Sequence, residues 1–168
     1  MIILKHEILA FLGGMFNGDG HLGLSIRHKD NWYVSPSMVY TVNPNDEGLI
    51  LAIEEHITTL KYSPKFSFTR KKSSPGVITG VNIRVDRRDE VDDFAKSLYP
   101  YCYGNKAEQL RLYIEELIPL LGLKSSQRWT SDRFLSIMKV VDKINALKTG
   151  ERGKYSYEYF LRLFTEEL

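Results

Sequence analysis

Cysteine is almost missing from this chain: Cys102 stands alone among 168 residues. A single thiol excludes an internal disulfide and any cysteine-rich metal cluster, and it reads as a buried small apolar residue. The four histidines have no ligand spacing, so a zinc site is not expected. Long apolar runs are also lacking. The N-terminal one is short and broken by Gly, Asn and Asp, which suits neither a leader nor a membrane span. The expectation is an intracellular protein without a membrane partner, in the cytoplasm of a prokaryote or in an organelle. Charge of one sign is scarce overall, at a net +2. There is no low-complexity tract. The length argues for one domain over residues 1–168, large enough to bury a core.

What is present begins with ILAFLGGMFNGDG at Ile8 to Gly20. At helical period Ile8, Phe11, Leu12, Met15 and Phe16 form an apolar face. Ala10, Gly14 and Gly18 form a second, nearly bare stripe. Glycine in a helix interior is disfavoured by roughly 1 kcal/mol relative to alanine, so the stripe needs a reason. Close approach by another helix supplies one. A buried core helix with a Gly-rich end would account for the same residues. The stretch ends in Asp19-Gly20, a carboxylate at a helix terminus followed by a residue of free backbone.

After Gly20 the period becomes alternating. In HLGLSIRHK, Leu22, Leu24 and Ile26 share one face, and His21, Ser25, Arg27 and Lys29 share the other. Asp30 to Pro36 reads as a connection. Met38, Tyr40 and Val42 then point inward, with Val39, Thr41 and Asn43 opposite. Pro44-Asn45-Asp46 starts a helix that buries Leu49, Ile50, Ile53 and Ile57. Lys65 to Lys72 alternates again, Phe66 and Phe68 inward and Lys65, Ser67, Thr69 and Lys71 outward. Ser73 to Gly76 is a turn signal. Val81, Ile83 and Val85 then face in, and Gly80, Asn82 and Arg84 face out.

From Asp86 the period is helical to the end. Asp86 or Asp89 can cap a helix carrying Val91, Phe94, Ala95 and Leu98, and Pro100 stops it. Asn105 to Leu121 is a longer helix with Leu110, Ile114, Leu117 and Leu121 on one side. Thr130-Ser131-Asp132 opens Phe134 to Leu147, and Tyr157 to Leu168 closes the chain. Helix, strand pair, helix, strand pair, helices is an α+β domain in which helices cover one face of an antiparallel sheet. Its other face is polar and poor in acid: Lys61 to Arg84 holds six Lys or Arg and no Asp or Glu. A basic face on a balanced protein suits a polyanion.

The stretch LGGMFNGDG at Leu12 to Gly20 resembles the signature of the LAGLIDADG homing endonucleases, with Leu12, Gly14, Gly18, Asp19 and Gly20 on pattern. Gly13 and Met15 are mild variants, and Asn17 stands where the first acid is usual. The element order looks like the αββαββα core of that family, with a saddle-like sheet facing DNA. The segment Ser131 to Phe164 is similar to the C-terminal part of its single-motif, homodimeric members. There is one copy of the motif in this chain.

The resemblance implies a homodimer that cuts double-stranded DNA at a long, roughly palindromic site. Helices pack across Ala10, Gly13, Gly14 and Gly18. Asp19 and its symmetry mate, with the Gly18 carbonyls, hold Mg²⁺, for which Mn²⁺ or another divalent ion could substitute. One acid cannot complete such a site, because magnesium takes six oxygens and usually one or two carboxylates. Lys106 is the candidate for the lysine that relatives place near the metals. Asn43 stands for the Gln that often orients water.

The sheet face, with His21, Ser25, Arg27, Lys29, Asn31, Trp32, Ser37, Val39, Thr41, Lys65, Ser67, Thr69, Lys71, Asn82 and Arg84, would meet DNA. Lys148, Arg152 and Lys154 in the loop KTGERGK suit phosphates. The dimensions agree. A strand of about ten residues at ~3.3 Å each spans ~33 Å, close to one ~34 Å turn of duplex, and fits a major groove about 12 Å wide. A nucleic-acid-binding protein of this fold that does not cut, such as an intron maturase or a regulator, is the alternative. A small structural domain with an incidental basic sheet is a third.

Overall fold

The computed structural model describes residues 2–122, 129–149 and 153–166. Helix α1 (Ile2–Asp19) runs straight into strand β1 (Gly20–His28), and β2 (Trp32–Val42) returns beside it. Helix α2 (Glu47–Thr59) leads to β3 (Lys65–Lys71) and β4 (Ser74–Val85). Helix α3 (Arg88–Leu98) and a 3₁₀ turn (Tyr99–Tyr101) follow. Then come α4 (Gly104–Leu112), one π-helical turn (Tyr113–Leu117), α5 (Ile118–Leu121), α6 (Ser131–Ala146) and α7 (Tyr157–Glu166). The strands make one open antiparallel sheet in the order β1-β2-β4-β3, and the helices cover one face of it.

The core forms where the helical and alternating patterns meet. Ile8, Leu9, Leu12 and Phe16 of α1 are buried against Leu22, Met38, Tyr40 and Val42 of the sheet and Val91, Phe94, Ala95 and Leu98 of α3. The Tyr40 hydroxyl donates to the Leu12 carbonyl at 3.2 Å, which fixes α1 at its middle. Helix α2 starts as expected: the Asp46 carboxylate accepts from the Leu49 N–H at 3.1 Å. Thr130 does the same for α6, accepting from Arg133 N–H at 3.3 Å. The helix from residue 105 is interrupted by the π turn, yet Leu110, Leu117 and Leu121 are fully buried as expected.

Four expectations are corrected. The connection at Asp30 to Pro36 is short, because β2 already begins at Trp32 and pairs His28↔Trp32 through Leu24↔Pro36. Pro36 is tolerated because β4 reaches β2 only from Met38 onward, so no ladder partner is lost on that side. The β3–β4 turn is Lys72-Ser73, not Ser73 to Gly76, since Lys71 pairs with Ser74. Phe66 and Phe68 are not core residues: they are 41% and 54% exposed. They sit on the helix-side face, opposite Ile83 and Val81, but β3 is the outer strand and the helical layer ends short of it. Asp86 caps nothing. Its carboxylate binds Lys65 at 2.8 Å and lies 3.6 Å from the Arg84 guanidinium, and α3 starts at Arg88, with Arg87 in the N-cap position making no side-chain cap bond.

Gly13 owes its place to this packing. A Cβ there would lie 2.4 Å from Tyr101 Cβ and 3.0 Å from the Tyr101 carbonyl oxygen. Gly13→Ala is expected to lower stability by about 1–3 kcal/mol through overpacking. Gly48→Ala in α2, where no other element among the described residues lies within 4 Å of an added Cβ, should raise it by up to about 1 kcal/mol from helix propensity. Urea denaturation of the two variants measures both.

Candidate nucleic-acid interface and active site

The corner where α1 becomes β1 is built from inside outward. Phe16 is fully buried beneath Gly20, and a Cβ on Gly20 would lie 2.3 Å from its ring. Gly20 is therefore required for room, and the chain passes from helix to strand in one step. That step leaves Asp19 exposed at the rim of the sheet. The Lys106 ammonium, on the first turn of α4, donates to the Gly20 carbonyl and sits 5.6 Å from the Phe16 ring centre. Burial lowers the Lys106 pKa, while Cys102 and the Asp19 carboxylate oppose the shift. Cys102 is half-buried rather than buried, and its thiol is pushed up to about 11 by burial.

Two further basic side chains share this corner. His21, the residue after Gly20, is held below its usual value by burial and then by the charges of Lys148 and Lys106. Lys148 is brought down to about 8, again by burial first and Lys106 second. It reaches this position because the end of α6 is hooked to α4. The Leu147 carbonyl accepts from the side-chain amides of Asn105 at 3.4 Å and Gln109 at 3.3 Å. Lys148 thus lies half-buried at the corner instead of extending with the loop. Lys154 is exposed, its ammonium 5.4 Å from the Tyr155 ring centre, and Arg152 lies outside the described residues.

Among the described residues no three His, Cys, Asp or Glu side chains come together to hold a metal. Asp19 is a lone carboxylate in one chain. A single carboxylate is a sparse donor set for a divalent ion, and a second copy contributing its own acid would bring it to the two that magnesium commonly takes. The stripe expected to bring that copy is divided by the fold. Ala10, Gly14 and Gly18 are exposed, and among the described residues no other element lies within 4 Å of a Cβ added at Gly14 or Gly18. Gly13, placed with them in the sequence reading, faces inward onto Tyr101 and is removed from that set. Asn43 follows β2, and its side-chain oxygen accepts from Asn45 N–H at 3.0 Å, so it shapes the turn into α2. Its amide nitrogen and the oxygen's second lone pair are left to orient a water.

On the polar face of the sheet, cross-strand partners put the expected residues in rows: His21, Val39, Arg84 and Lys65 in one, and Thr41, Asn82 and Ser67 in another. Thr41 donates to the Asn82 side-chain oxygen at 2.8 Å, and the Asn82 amide donates to Thr69 at 3.1 Å. Ser25, Arg27, Lys29, Asn31, Thr69 and Lys71 are exposed, and Ser37 and Ser67 half-exposed. The face is not free of acid, since Asp86 holds Lys65 and approaches Arg84. Val39 has the right direction but is 6% exposed, walled in by its neighbours.

Trp32 is corrected outright. It lies on the helix side, its ring 4.8 Å from Phe160 and 5.3 Å from Tyr155. Tyr33 and Ser35 occupy the polar face opposite Arg27 and Ser25 and were missed. Extending the alternation of β2 back past Pro36 would have found them. Asn17 was also missed as a contact residue. Its amide donates to the Tyr101 carbonyl at 3.2 Å, and its oxygen accepts from Tyr103 N–H at 3.1 Å.

No family model matches the chain, and no curated protein does. Solved structures do. The homing endonuclease I-CvuI in complex with its target in the presence of Ca aligns with a TM-score of 0.73, over 99% of this chain and 97% of that one, at 14% identity. The archaeal intron-encoded homing endonuclease I-Vdi141I, complexed with DNA, gives 0.67 over 96% and 97% at 13% identity. The LAGLIDADG meganuclease I-AabMI, bound to uncleaved DNA, gives 0.62 at 20% identity, over 85% of this chain and 46% of that one. The fold is therefore that of the LAGLIDADG homing endonucleases.

The state of Lys148 has a measurable consequence. Its folded value, about 8, lies below its ordinary 10.5, so between them the unfolded chain binds more protons and stability rises with pH. Below pH 8 the penalty is present in full. Denaturant midpoints followed from pH 7 to 10.5 are expected to climb for the wild type relative to Lys148→Gln, in which the difference disappears.

Proposed function

We propose that the chain is a site-specific, double-strand DNA endonuclease that works as a homodimer with a divalent metal ion. One observation carries this reading: an exposed acid, Asp19, ends the helix whose small-residue stripe, Ala10, Gly14 and Gly18, is exposed, with no other element within 4 Å of a Cβ added at Gly14 or Gly18 among the described residues. Two such chains packed along their stripes would pair their acids beside two polar sheet faces. That this chain aligns with 46% of I-AabMI supports the same arithmetic, two units to one full enzyme.

In this reading Asp19 and the Gly18 carbonyl of each chain hold Mg²⁺, or Mn²⁺ in its place. When bound, the ion activates water and stabilises charge on the scissile phosphate and leaving oxygen. The protein does the rest. Lys106, fixed to the Gly20 carbonyl, keeps a positive charge where phosphate charge builds up. Lys148 adds to the field that draws the backbone into this corner, His21 lines it as a neutral hydrogen-bonding imidazole, and Lys154 takes an outer phosphate. Arg27, Lys29 and Asn31 at the β1–β2 end, with Thr41, Asn82 and Ser67 near the middle, meet base edges in the major groove. A protomer whose sheet spans about one turn of duplex and a two-fold partner would read a nearly palindromic site.

The test is incubation with Mg²⁺ and a randomised duplex library, with the cut ends sequenced. Asp19→Asn should abolish cleavage and leave affinity for the recovered site within about 1 kcal/mol. Specific binding by the wild type with no cut ends would instead identify a protein that binds and does not cut. Gly14→Leu should raise the dimer dissociation constant about 100-fold, some 3 kcal/mol, by steric conflict. Sedimentation showing an unchanged dimer would refute the role of the stripe.

A further inference from the structure

Asn17 departs from the acid usual at its place, and its side chain bonds to backbone 84 and 86 residues further along the chain. It grips both sides of the turn between the 3₁₀ segment and α4, donating to the Tyr101 carbonyl and accepting from Tyr103 N–H. Gly104 follows with φ of 57°, a left-handed corner suited to glycine, and α4 starts there. Lys106 comes two residues later and donates to the Gly20 carbonyl. The contacts close a ring: Asn17, the turn at 101–103, Lys106, Gly20, Asp19 and back to Asn17. Gly13 against Tyr101 and His6 Nδ1 at 2.7 Å from the Tyr101 hydroxyl hold the same turn one and three helical turns earlier.

We propose that Asn17 is a positioning residue that sets Lys106 against the Asp19–Gly20 corner by clamping the turn from which α4 departs. The consequence for catalysis rests on the nuclease reading; the clamp itself does not. An amide is suited to both bonds at once. A carboxylate at this position would still accept from Tyr103 N–H but would face the Tyr101 carbonyl oxygen to oxygen, and an aliphatic side chain would do neither. Asn17 acts through the turn and through Lys106, without touching the reacting groups itself.

The experiment compares wild type, Asn17→Asp and Asn17→Leu by two independent readouts. The first is the proton NMR shift of the Lys106 ε-methylene, assigned with Lys106→Arg. In the wild type the Phe16 ring, over which the Lys106 ammonium sits, is expected to move it upfield, and the exposed Lys96 serves as reference. The shift is expected to return toward that of Lys96 in Asn17→Leu and part of the way in Asn17→Asp. The second is cleavage of the site recovered by library selection, at saturating protein with Mg²⁺, against affinity for that site with Ca²⁺. Cleavage should fall about tenfold in Asn17→Leu and by less in Asn17→Asp, with affinity unchanged.

An unmoved Lys106 signal in a folded Asn17→Leu overturns the proposal. A loss of affinity that matches the loss of cleavage does so too. Should Asn17→Leu fail to fold, Asn17→Asp, which keeps one bond, is judged by the same two criteria. If the wild type cuts no DNA, the nuclease reading falls, and the NMR arm alone decides whether the clamp sets Lys106.

Discussion

Phe16 seated beneath Gly20 is the contact on which the rest of the molecule depends. The ring is fully buried, meets Tyr40 edge-on at 6.0 Å, and leaves no room above it for a side chain. A bulky apolar residue and a bare one, four positions apart, let the helix end and the strand begin without an intervening loop. Asp19 is thereby tied to the sheet's own geometry. A carboxylate carried on a loop would sample many positions; this one has the rigidity of the core below it.

Electrostatics divides the polar face into two regions of different character. Around β3 and the end of β4, Asp86 holds Lys65 and lies beside Arg84, so any anion that engages those cations must displace an internal partner. Such exchange favours discrimination over raw attraction. At the α1–β1 corner His21, Lys106 and Lys148 crowd together, each with its protonated form disfavoured by burial. Asp19 is the acid acting on Lys106 there. An arriving phosphate would relieve that strain, so attraction is concentrated next to the acid.

Much of the fold was legible because its helices are amphipathic and its strands alternate. Val91, Phe94, Ala95 and Leu98 could be placed in the core from spacing alone. What spacing reports is direction, and direction is not coverage. Phe66 and Phe68 point to the helical side as their alternation says, but among the described residues no helix covers the outer strand there. Gly13 and Gly14 are neighbours in sequence, and only the position of Tyr101 shows that one faces the core and the other solvent. Pro36 obscured the start of β2, since its tolerance depends on where β4 stops. The site divided in the same way. Asp19 stood out by its place at a helix end and Lys106 was a candidate through the resemblance, whereas the bonds of Asn17 and the burial of Lys148 arise between segments far apart in sequence.

The exposure of β3 bears on how this chain can diversify. A strand whose side chains contribute little to the interior can exchange them at small thermodynamic cost, whichever way they point. Its cationic residues, Lys65, Arg70 and Lys71, also guard an open margin against pairing with other chains. The outer hairpin is thus a region where new surface chemistry can be tried by drift, while the inner strands and their helix keep the scaffold unchanged.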